Sequence, residues 1–264
     1  MPRFAANLTM LFTEYPFLER FARAAHAGFR AVEYMFPYQE DRDGIARALR
    51  EYGLTQVLFN LPAGDWAAGD RGIAADPARR EEFRRGVAEA VELARRFGCT
   101  RLNCLVGKRR DDVSAAEQWA CLVDNVRFAA AELERAGITL LVEPVNTYDI
   151  PGFFLHTSAQ AVRLLDDVGA RNARLQYDVY HMQRMEGNLV DTMRRLRDRI
   201  GHVQIADAPA RHEPGTGEIH FPYVLRELDA LGYQGYVGLE YRPSGRTEDS
   251  FGWIEAMGFR RAIG

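Results

Sequence analysis

A single (β/α)8 TIM barrel covering residues 1–264 is the fold that the sequence predicts, on three observations. Eight short runs of apolar, β-branched or aromatic residues recur about 33 residues apart, which is the length of one strand–helix unit. The segments between them carry apolar residues at helical spacing, and no low-complexity linker interrupts the alternation. An open, doubly wound sheet is the alternative, but no GxGxxG motif follows the first run to support its dinucleotide site.

The predicted strands and helices alternate regularly along the chain. The runs predicted as strands begin near residues 4, 29, 55, 101, 138, 174, 202 and 236. Helical spacing is clearest over residues 17–25, 83–94 and 122–133. Four helices are predicted to stop at a glycine, which readily adopts the left-handed backbone found past many helix ends: Gly28, Gly53, Gly98 and Gly137. The longest connection without periodicity, residues 61–80, carries Trp66 and is either a lid or a plain surface loop.

Composition and charge exclude several classes of protein. The 264 residues include 34 Lys and Arg against 37 Asp and Glu, a net charge of −3, which disfavours a general nucleic-acid binder. No apolar run approaches the roughly 18 residues of a membrane span. The N-terminal stretch is too short and too interrupted for a signal peptide, so we expect a cytoplasmic protein. Three cysteines without a CxxC pair argue against disulfides and a structural zinc site.

Metal-capable side chains stand at or beside the ends of the last four predicted strands: Glu143, Asp178, Gln204 and Glu240. The active site of such a barrel lies at these ends. A single carboxylate there often caps the next helix instead. Four in succession on neighbouring strands, roughly 5 Å apart, are better explained by one shared ion. Three carboxylates and an amide oxygen are hard donors, so the predicted cofactor is one divalent ion, Mg²⁺ or Mn²⁺.

Two of the four predicted ligands, Glu143 and Glu240, lie three strands apart and could reach one substrate from different sides. One could remove a proton from carbon while the other delivers a proton to the neighbouring carbon, with the ion stabilising the enediolate between the steps. This chemistry is an aldose–ketose isomerisation or an epimerisation. The alternatives are a non-catalytic barrel that binds a sugar acid and a metal-dependent phosphodiesterase. The latter would need more histidine ligands and a basic groove.

The same residues, with the segments 178–187, 204–219 and 61–72, resemble the hydroxypyruvate isomerase family over essentially the whole chain. The family belongs to the xylose-isomerase-like barrels, which include ketose 3-epimerases and endonuclease IV. The resemblance implies interconversion of hydroxypyruvate and tartronate semialdehyde, with Glu143 and Glu240 as proton donor and acceptor and all four residues as metal ligands. Gln204 stands where the sugar 3-epimerases have histidine, which disfavours that activity. Some relatives, the 2-oxo-tetronate isomerases, act on four-carbon 2-oxo acids. The metal ligands do not distinguish that activity from hydroxypyruvate isomerisation.

Three further residues are candidate contacts of the small hydroxy-oxo acid substrate. His181 follows Asp178 in the DxxH pattern of these barrels, although a core histidine is the alternative. Arg211 could pair with a substrate carboxylate, or it is a solvated loop charge. Lys108 lies at the end of the fourth predicted strand and faces the same rim. It belongs to a run of basic residues, and such runs are usually exposed to solvent.

Asn60 and Asn103, near the ends of the third and fourth strands, are candidates for hydrogen bonds to substrate. Glu33 on the second strand is predicted to form a structural salt bridge, and His202 has no partner that spacing identifies. The oligomeric state is not predicted.

Overall fold

Eight parallel strands close into a barrel in chain order, with the last strand paired to the first. The structure, a computed structural model, describes residues 1–260. The strands are β1 (Arg3–Asn7), β2 (Ala31–Glu33), β3 (Thr55–Asn60), β4 (Arg101–Cys104), β5 (Thr139–Val142), β6 (Ala173–Asp178), β7 (Ile200–Ile205) and β8 (Tyr236–Leu239). The predicted barrel is confirmed and the open sheet is wrong. Residues 261–264 of the predicted domain lie outside the described residues.

Helices connect the strands on the outside of the barrel. They are α1 (Glu19–His26), α2 (Arg42–Glu51), α3 (Arg80–Phe97), α4 (Ala115–Arg135), α5 (Ser158–Val168), α6 (Val179–Met185), α7 (Leu189–Leu196), α8 (Phe221–Ala230) and α9 (Gly252–Ala256), with 3₁₀ turns at Pro77–Arg79 and Thr247–Phe251. The α3 helix is followed by Gly98, whose φ of 65° is the left-handed conformation expected there. None of the helices within residues 1–260 is long and apolar enough to span a membrane.

The apolar faces of the helices pack against the sheet, as their spacing predicts. On α4, for example, Leu122, Val126 and Leu133 are fully buried. The three cysteines are also buried, and each of them is free in the structure. The apolar core therefore fills the layer between sheet and helices.

Strand register determines which side chains share the carboxyl-terminal rim of the barrel. Asp178 on β6 pairs with Gln204 on β7, and Gln204 pairs with Gly238 on β8. Glu143 and Glu240 are the first residues after β5 and β8. The four predicted metal ligands therefore stand at, or within one residue of, the carboxyl ends of four neighbouring strands, which meet at one rim of the barrel.

The connection after β3 is irregular, as its sequence predicts. Trp66 lies 36% exposed on this segment, with its ring 5.1 Å from that of Phe36 and beneath the guanidinium of Arg71 at 4.1 Å. Gly72 forms an isolated backbone bridge with Val106, which attaches the segment to the loop after β4. Its action as a lid stays a prediction.

Candidate active site and metal centre

Four buried side chains converge at the carboxyl-terminal rim. One atom from each of Glu143, Asp178, His181 and Glu240 lies within 4.8 Å of the others. His181 Nε2 is 3.6 Å from Asp178 Oδ2 and 3.9 Å from Glu143 Oε1. The structure therefore brings together both predicted catalytic glutamates, the predicted aspartate ligand and one predicted substrate contact.

Asp178 caps a helix with one carboxylate oxygen and faces the acidic cluster with the other. Its Oδ1 accepts from the Tyr180 backbone N–H at 2.8 Å and caps α6. Its Oδ2 is buried within the cluster and has no hydrogen-bond partner among the described residues. The cap orients the carboxylate, so that its second oxygen faces the other acidic groups.

The carboxylates of the cluster have raised pKa values. Burial, and then the charges of Glu240 and Asp178, raise the pKa of Glu143 well above its ordinary value. Burial raises the pKa of Glu240 to about 8 and also raises that of Asp178, although the Arg211 guanidinium lowers both. The pKa shifts show that the site needs positive charge when its carboxylates are ionised.

The donor atoms fit a divalent cation. Glu143 Oε1 and Asp178 Oδ2 are buried carboxylate oxygens without a hydrogen-bond donor among the described residues. Buried ionised oxygens require a compensating charge, and hard oxygen ligands suit cations such as Mg²⁺ or Mn²⁺. The cluster can therefore hold a metal ion.

Gln204, the fourth predicted ligand, is buried beside Asp178. Its Nε2 donates to Glu33 Oε1 at 2.7 Å, and its Oε1 accepts from Gln176 Nε2 at 2.6 Å. A carbonyl oxygen has two lone pairs, so Gln204 Oε1 retains one for a cation. Its role as a ligand stays a prediction that this orientation supports.

Asn146 determines the protonation of His181. Asn146 Oδ1 accepts from the backbone N–H groups of Tyr148 and Asp149, so its Nδ2 faces His181 Nδ1 at 2.7 Å. The Asn146 backbone N–H also approaches His181 Nδ1, at 3.3 Å. His181 Nδ1 therefore accepts, and the proton of the neutral ring is on Nε2, which faces the carboxylates. Burial, followed by nearby arginine charges, lowers the pKa of His181 well below its ordinary value, so the ring is neutral.

This tautomer makes His181 a hydrogen-bond donor within the site. An Nε2 that carries its proton has no lone pair for a metal ion. The prediction that His181 contacts substrate, rather than the ion, agrees with this geometry, and the alternative of a core histidine does not account for its place beside three carboxylates.

Arg211 lies in the site and is not a solvated loop charge. Its Nη2 donates to Glu240 Oε2 at 2.5 Å and lies 3.9 Å from Asp178 Oδ2. Asp149 is 3.6 Å away, and the guanidinium lies 5.1 Å from the centre of the Tyr180 ring. The side chain is 11% exposed, so a planar bidentate donor is available at the edge of the cluster.

The remaining candidates divide between the rim and the surface. Asn103 Nδ2 donates to Glu143 Oε2 at 2.9 Å and to Asn60 Oδ1 at 3.2 Å, so both asparagines lie beside the cluster. Lys108 is exposed and donates to the Gly69 carbonyl at 3.0 Å, on the connection after β3. Among the described residues Lys108 forms no ion pair with the clustered carboxylates, so the structure does not bring it together with them.

The sequence did not predict two sets of contacts beside the site, those between Glu33 and His202 and those of Asp207. The partner of Glu33 is His202, whose Nε2 lies 2.7 Å from Glu33 Oε2. Asp207 accepts from four backbone N–H groups of the loop that carries Arg211. The signal for Asp207 was the cluster of glycines that follows it, while spacing along the chain gave no signal for the pairing of residues 33 and 202.

Comparison with known proteins places this geometry in a family. A family model described as "Xylose isomerase-like TIM barrel" matches residues 21–262. Hydroxypyruvate isomerase of Escherichia coli strain K12 is 52% identical over 255 residues, covering 97% of this chain and 99% of that protein. A 2-oxo-tetronate isomerase of Cupriavidus necator is 44% identical over 255 residues, covering 97% and 98%.

A solved structure agrees in fold over the same extent. The crystal structure described as AP endonuclease, family 2, from Brucella melitensis has a TM-score of 0.94 and 46% identity, covering 97% of this chain and 99% of that chain. The family resemblance predicted from the sequence motifs is thus confirmed across nearly the whole chain. The chain belongs to the hydroxypyruvate isomerase family of xylose isomerase-like TIM barrels, and it is an isomerase.

Proposed function

We propose that this isomerase interconverts hydroxypyruvate and tartronate semialdehyde (2-hydroxy-3-oxopropanoate) and that it uses Mg²⁺ or Mn²⁺. The observation that carries the proposal is the buried pair Glu143 and Glu240, whose pKa values are both raised in a cluster with two unpartnered carboxylate oxygens. The 52% identity to a hydroxypyruvate isomerase supports the choice of substrate.

The reaction needs one group that accepts a proton from carbon and a second group that donates a proton to the neighbouring carbon. It removes one hydrogen from C3 of hydroxypyruvate, adds one to C2, and moves the hydroxyl proton from O3 to O2. Mutual repulsion in a dry site favours one ionised and one protonated carboxyl group. Glu143 and Glu240 can therefore serve as base and acid, and they exchange these roles in the reverse direction.

Two neighbouring side chains have the chemistry to bind the substrate. His181 presents its Nε2–H into the site and can donate to a substrate oxygen. Arg211 can bind the substrate carboxylate through two parallel N–H groups, a geometry that guanidinium favours. Because Arg211 also contacts Glu240, bound substrate and catalytic carboxylate would share one guanidinium.

Glu143, Asp178, Gln204 and Glu240 would hold the divalent ion. When bound, the ion would supply the positive charge that stabilises negative charge developing on substrate oxygens. Carboxylate and amide oxygens are the donors that Mg²⁺ and Mn²⁺ prefer.

Deuterium exchange in D₂O tests the proposal. The Mg²⁺-loaded enzyme is offered hydroxypyruvate and a four-carbon 2-oxo-tetronate in parallel, with an abasic-site oligonucleotide to test phosphodiesterase activity. We expect deuterium in carbon and aldehyde product from hydroxypyruvate. Preference for the tetronate would assign the activity of the Cupriavidus relative instead, and cleavage of the oligonucleotide without exchange would overturn the proposal.

Substitution of either glutamate tests the proton transfer. Glu143→Gln and Glu240→Gln each remove a proton-transferring group, and we expect kcat to fall by about 10²- to 10⁴-fold. The control Glu92→Gln changes an exposed carboxylate on α3 and should leave kcat unchanged. Full activity in the chelator-treated protein, or in either site variant, would contradict the mechanism.

A further inference from the structure

Behind the cluster, a fully buried carboxylate from β2 crosses the barrel interior to β7. Glu33 Oε2 lies 2.7 Å from His202 Nε2, and both side chains are at most 1% exposed. Glu33 Oε1 accepts from Gln204 Nε2 at 2.7 Å and from Asn7 Nδ2 at 3.0 Å. Three donors from two other strands therefore converge on one side chain.

The barrel leaves room for this carboxylate at a glycine. A Cβ atom at Gly238 on β8 would lie 2.3 Å from Glu33 Oε1 and 2.5 Å from Oε2, which is far inside van der Waals contact. The φ of Gly238 is outside the left-handed region, so the lack of a side chain here makes space and does not relieve backbone strain. Gly238 is also the register partner of Gln204.

We propose that Glu33 is a positioning residue that fixes the amide orientation of Gln204 and so presents its Oε1 as a metal ligand. An amide side chain has two nearly isosteric orientations, one with NH₂ and one with oxygen facing a given partner. Glu33 Oε1 accepts from Gln204 Nε2, so the NH₂ of Gln204 is turned toward Glu33. Its oxygen then faces β6, where it meets Gln176 Nε2 and where Asp178 stands.

His202 and Asn7 hold Glu33 in this position. With His202 donating to one oxygen and Asn7 to the other, the carboxylate cannot rotate without losing a buried hydrogen bond. Asn7 Nδ2 also lies 3.3 Å from Glu240 Oε1, which links the same group to a second predicted ligand. The arrangement is that of a second layer of hydrogen bonds orienting metal ligands.

A purely structural His–Glu pair would have a different consequence. It would contribute to the free energy of unfolding but would not require Gln204 to keep one amide orientation. Metal affinity, measured without substrate, separates the two roles. The inference rests on the proposed function because it assigns Gln204 to a metal site.

The experiment is a double-mutant cycle on Mn²⁺ affinity, measured by electron paramagnetic resonance of free Mn²⁺. Glu33→Gln offers Gln204 an amide in place of a carboxylate, and we expect affinity to fall by about 10- to 100-fold. Gln204→Glu alone places two carboxylates in contact. In the double variant the introduced amide can donate to the introduced carboxylate, so we expect the combined effect to be non-additive by about tenfold or more.

Two controls keep the outcome interpretable. Thermal unfolding of the chelated variants shows whether each folds, and Glu92→Gln is the matched surface substitution. Gly238→Ala displaces the Glu33 carboxylate without changing its chemistry, and it should weaken Mn²⁺ binding to a similar extent. If Glu33→Gln does not fold, Gly238→Ala is used as the test in its place.

The results distinguish failure of the inference from failure of the proposed function. Additive effects in the cycle, or wild-type affinity in folded Glu33→Gln, would overturn the positioning role while leaving the metal site intact. Absence of Mn²⁺ and Mg²⁺ binding by the wild-type protein would overturn the metal-dependent function itself.

Discussion

Asn146 decides what the imidazole of His181 can do, although it carries out no chemistry itself. Its side-chain oxygen is held by two backbone N–H groups, so its NH₂ must face the histidine. This places the histidine proton on the nitrogen that faces the carboxylates. Glu33 and Gln204 follow the same principle. The hydrogen bond from Gln204 to Glu33 fixes the orientation of the Gln204 amide, as Asn146 fixes the protonation of His181.

The Asn146→Asp variant should reverse the protonation of His181. An aspartate in this position accepts from His181 Nδ1, which would then carry the proton, as in a carboxylate–imidazole pair. We expect the ¹⁵N spectrum of the wild type to show a neutral ring with Nε2 protonated, since the pKa of His181 is well below its ordinary value. The variant should show protonated Nδ1 and a raised pKa.

The control for this spectrum is Asn188→Asp, which changes an exposed asparagine at the start of α7. It should leave the His181 resonances unchanged. A wild-type spectrum with Nδ1 protonated would contradict the assigned tautomer and the role of Asn146.

At the scale of one element, the loop between β7 and α8 places a cation beside the acidic rim. Asp207 accepts from the backbone N–H groups of Ala208, Gly215, Gly217 and Ile219, at 2.8 to 3.1 Å. Its own carbonyl accepts from the Arg211 N–H at 2.9 Å. Arg211 itself has a φ of 60°, an uncommon conformation for a residue other than glycine. The loop is therefore built around one buried carboxylate.

Replacing Asp207 with Asn should loosen this loop. The amide presents NH₂ to backbone N–H groups that the carboxylate accepted, leaving buried donors unpaired at a cost of about 1–3 kcal/mol in the free energy of unfolding. We expect a lower urea midpoint and a raised KM for hydroxypyruvate, because Arg211 loses its fixed position. Asp198→Asn, at a side chain that is 87% exposed, is the control. An unchanged KM in a destabilised variant would separate the loop from substrate binding.

At the scale of the whole molecule, the barrel holds several buried carboxylates close together against their repulsion. Their pKa values are raised in the folded protein, so folding takes up protons wherever the unfolded carboxyl groups would already be ionised. His181, whose pKa is lowered, acts in the opposite direction only up to its unfolded pKa of about 6.5. Above that pH the raised pKa values of the carboxylates and of the buried thiols Cys99 and Cys104 act in the same direction, so the free energy of unfolding falls as pH rises.

The chelated protein should therefore lose stability as pH rises from 7 toward the Glu240 pKa of about 8. The folded state binds more protons than the unfolded state in this range, so the free energy of unfolding falls with pH. A divalent ion binds the ionised carboxylates, so its stabilising effect should grow over the same range. Thermal unfolding with chelator and with Mg²⁺, from pH 6.5 to 8.5, measures both. Stability of the chelated protein that rises with pH across this range would contradict the raised pKa values.

Much of the fold and the rim was predictable because the relevant signals are local and periodic. The strand–helix period predicted all eight strands, and a residue that ends a parallel strand must lie at the rim once the barrel closes. Glu143, Asp178 and Glu240 were found in this way. The resemblance of the motifs to known isomerases added the chemistry, and the comparisons confirmed the family.

The tertiary structure alone decided which partner each polar group meets. Nothing in the chain between residues 33 and 202 indicates that their side chains touch, since β2 and β7 meet only across the closed interior. The contact of Arg211 with Glu240 and the surface position of Lys108 likewise depend on how loops fold back over the rim. Periodicity along a sequence records which face a residue occupies, whereas a hydrogen bond requires the position of a second residue in space.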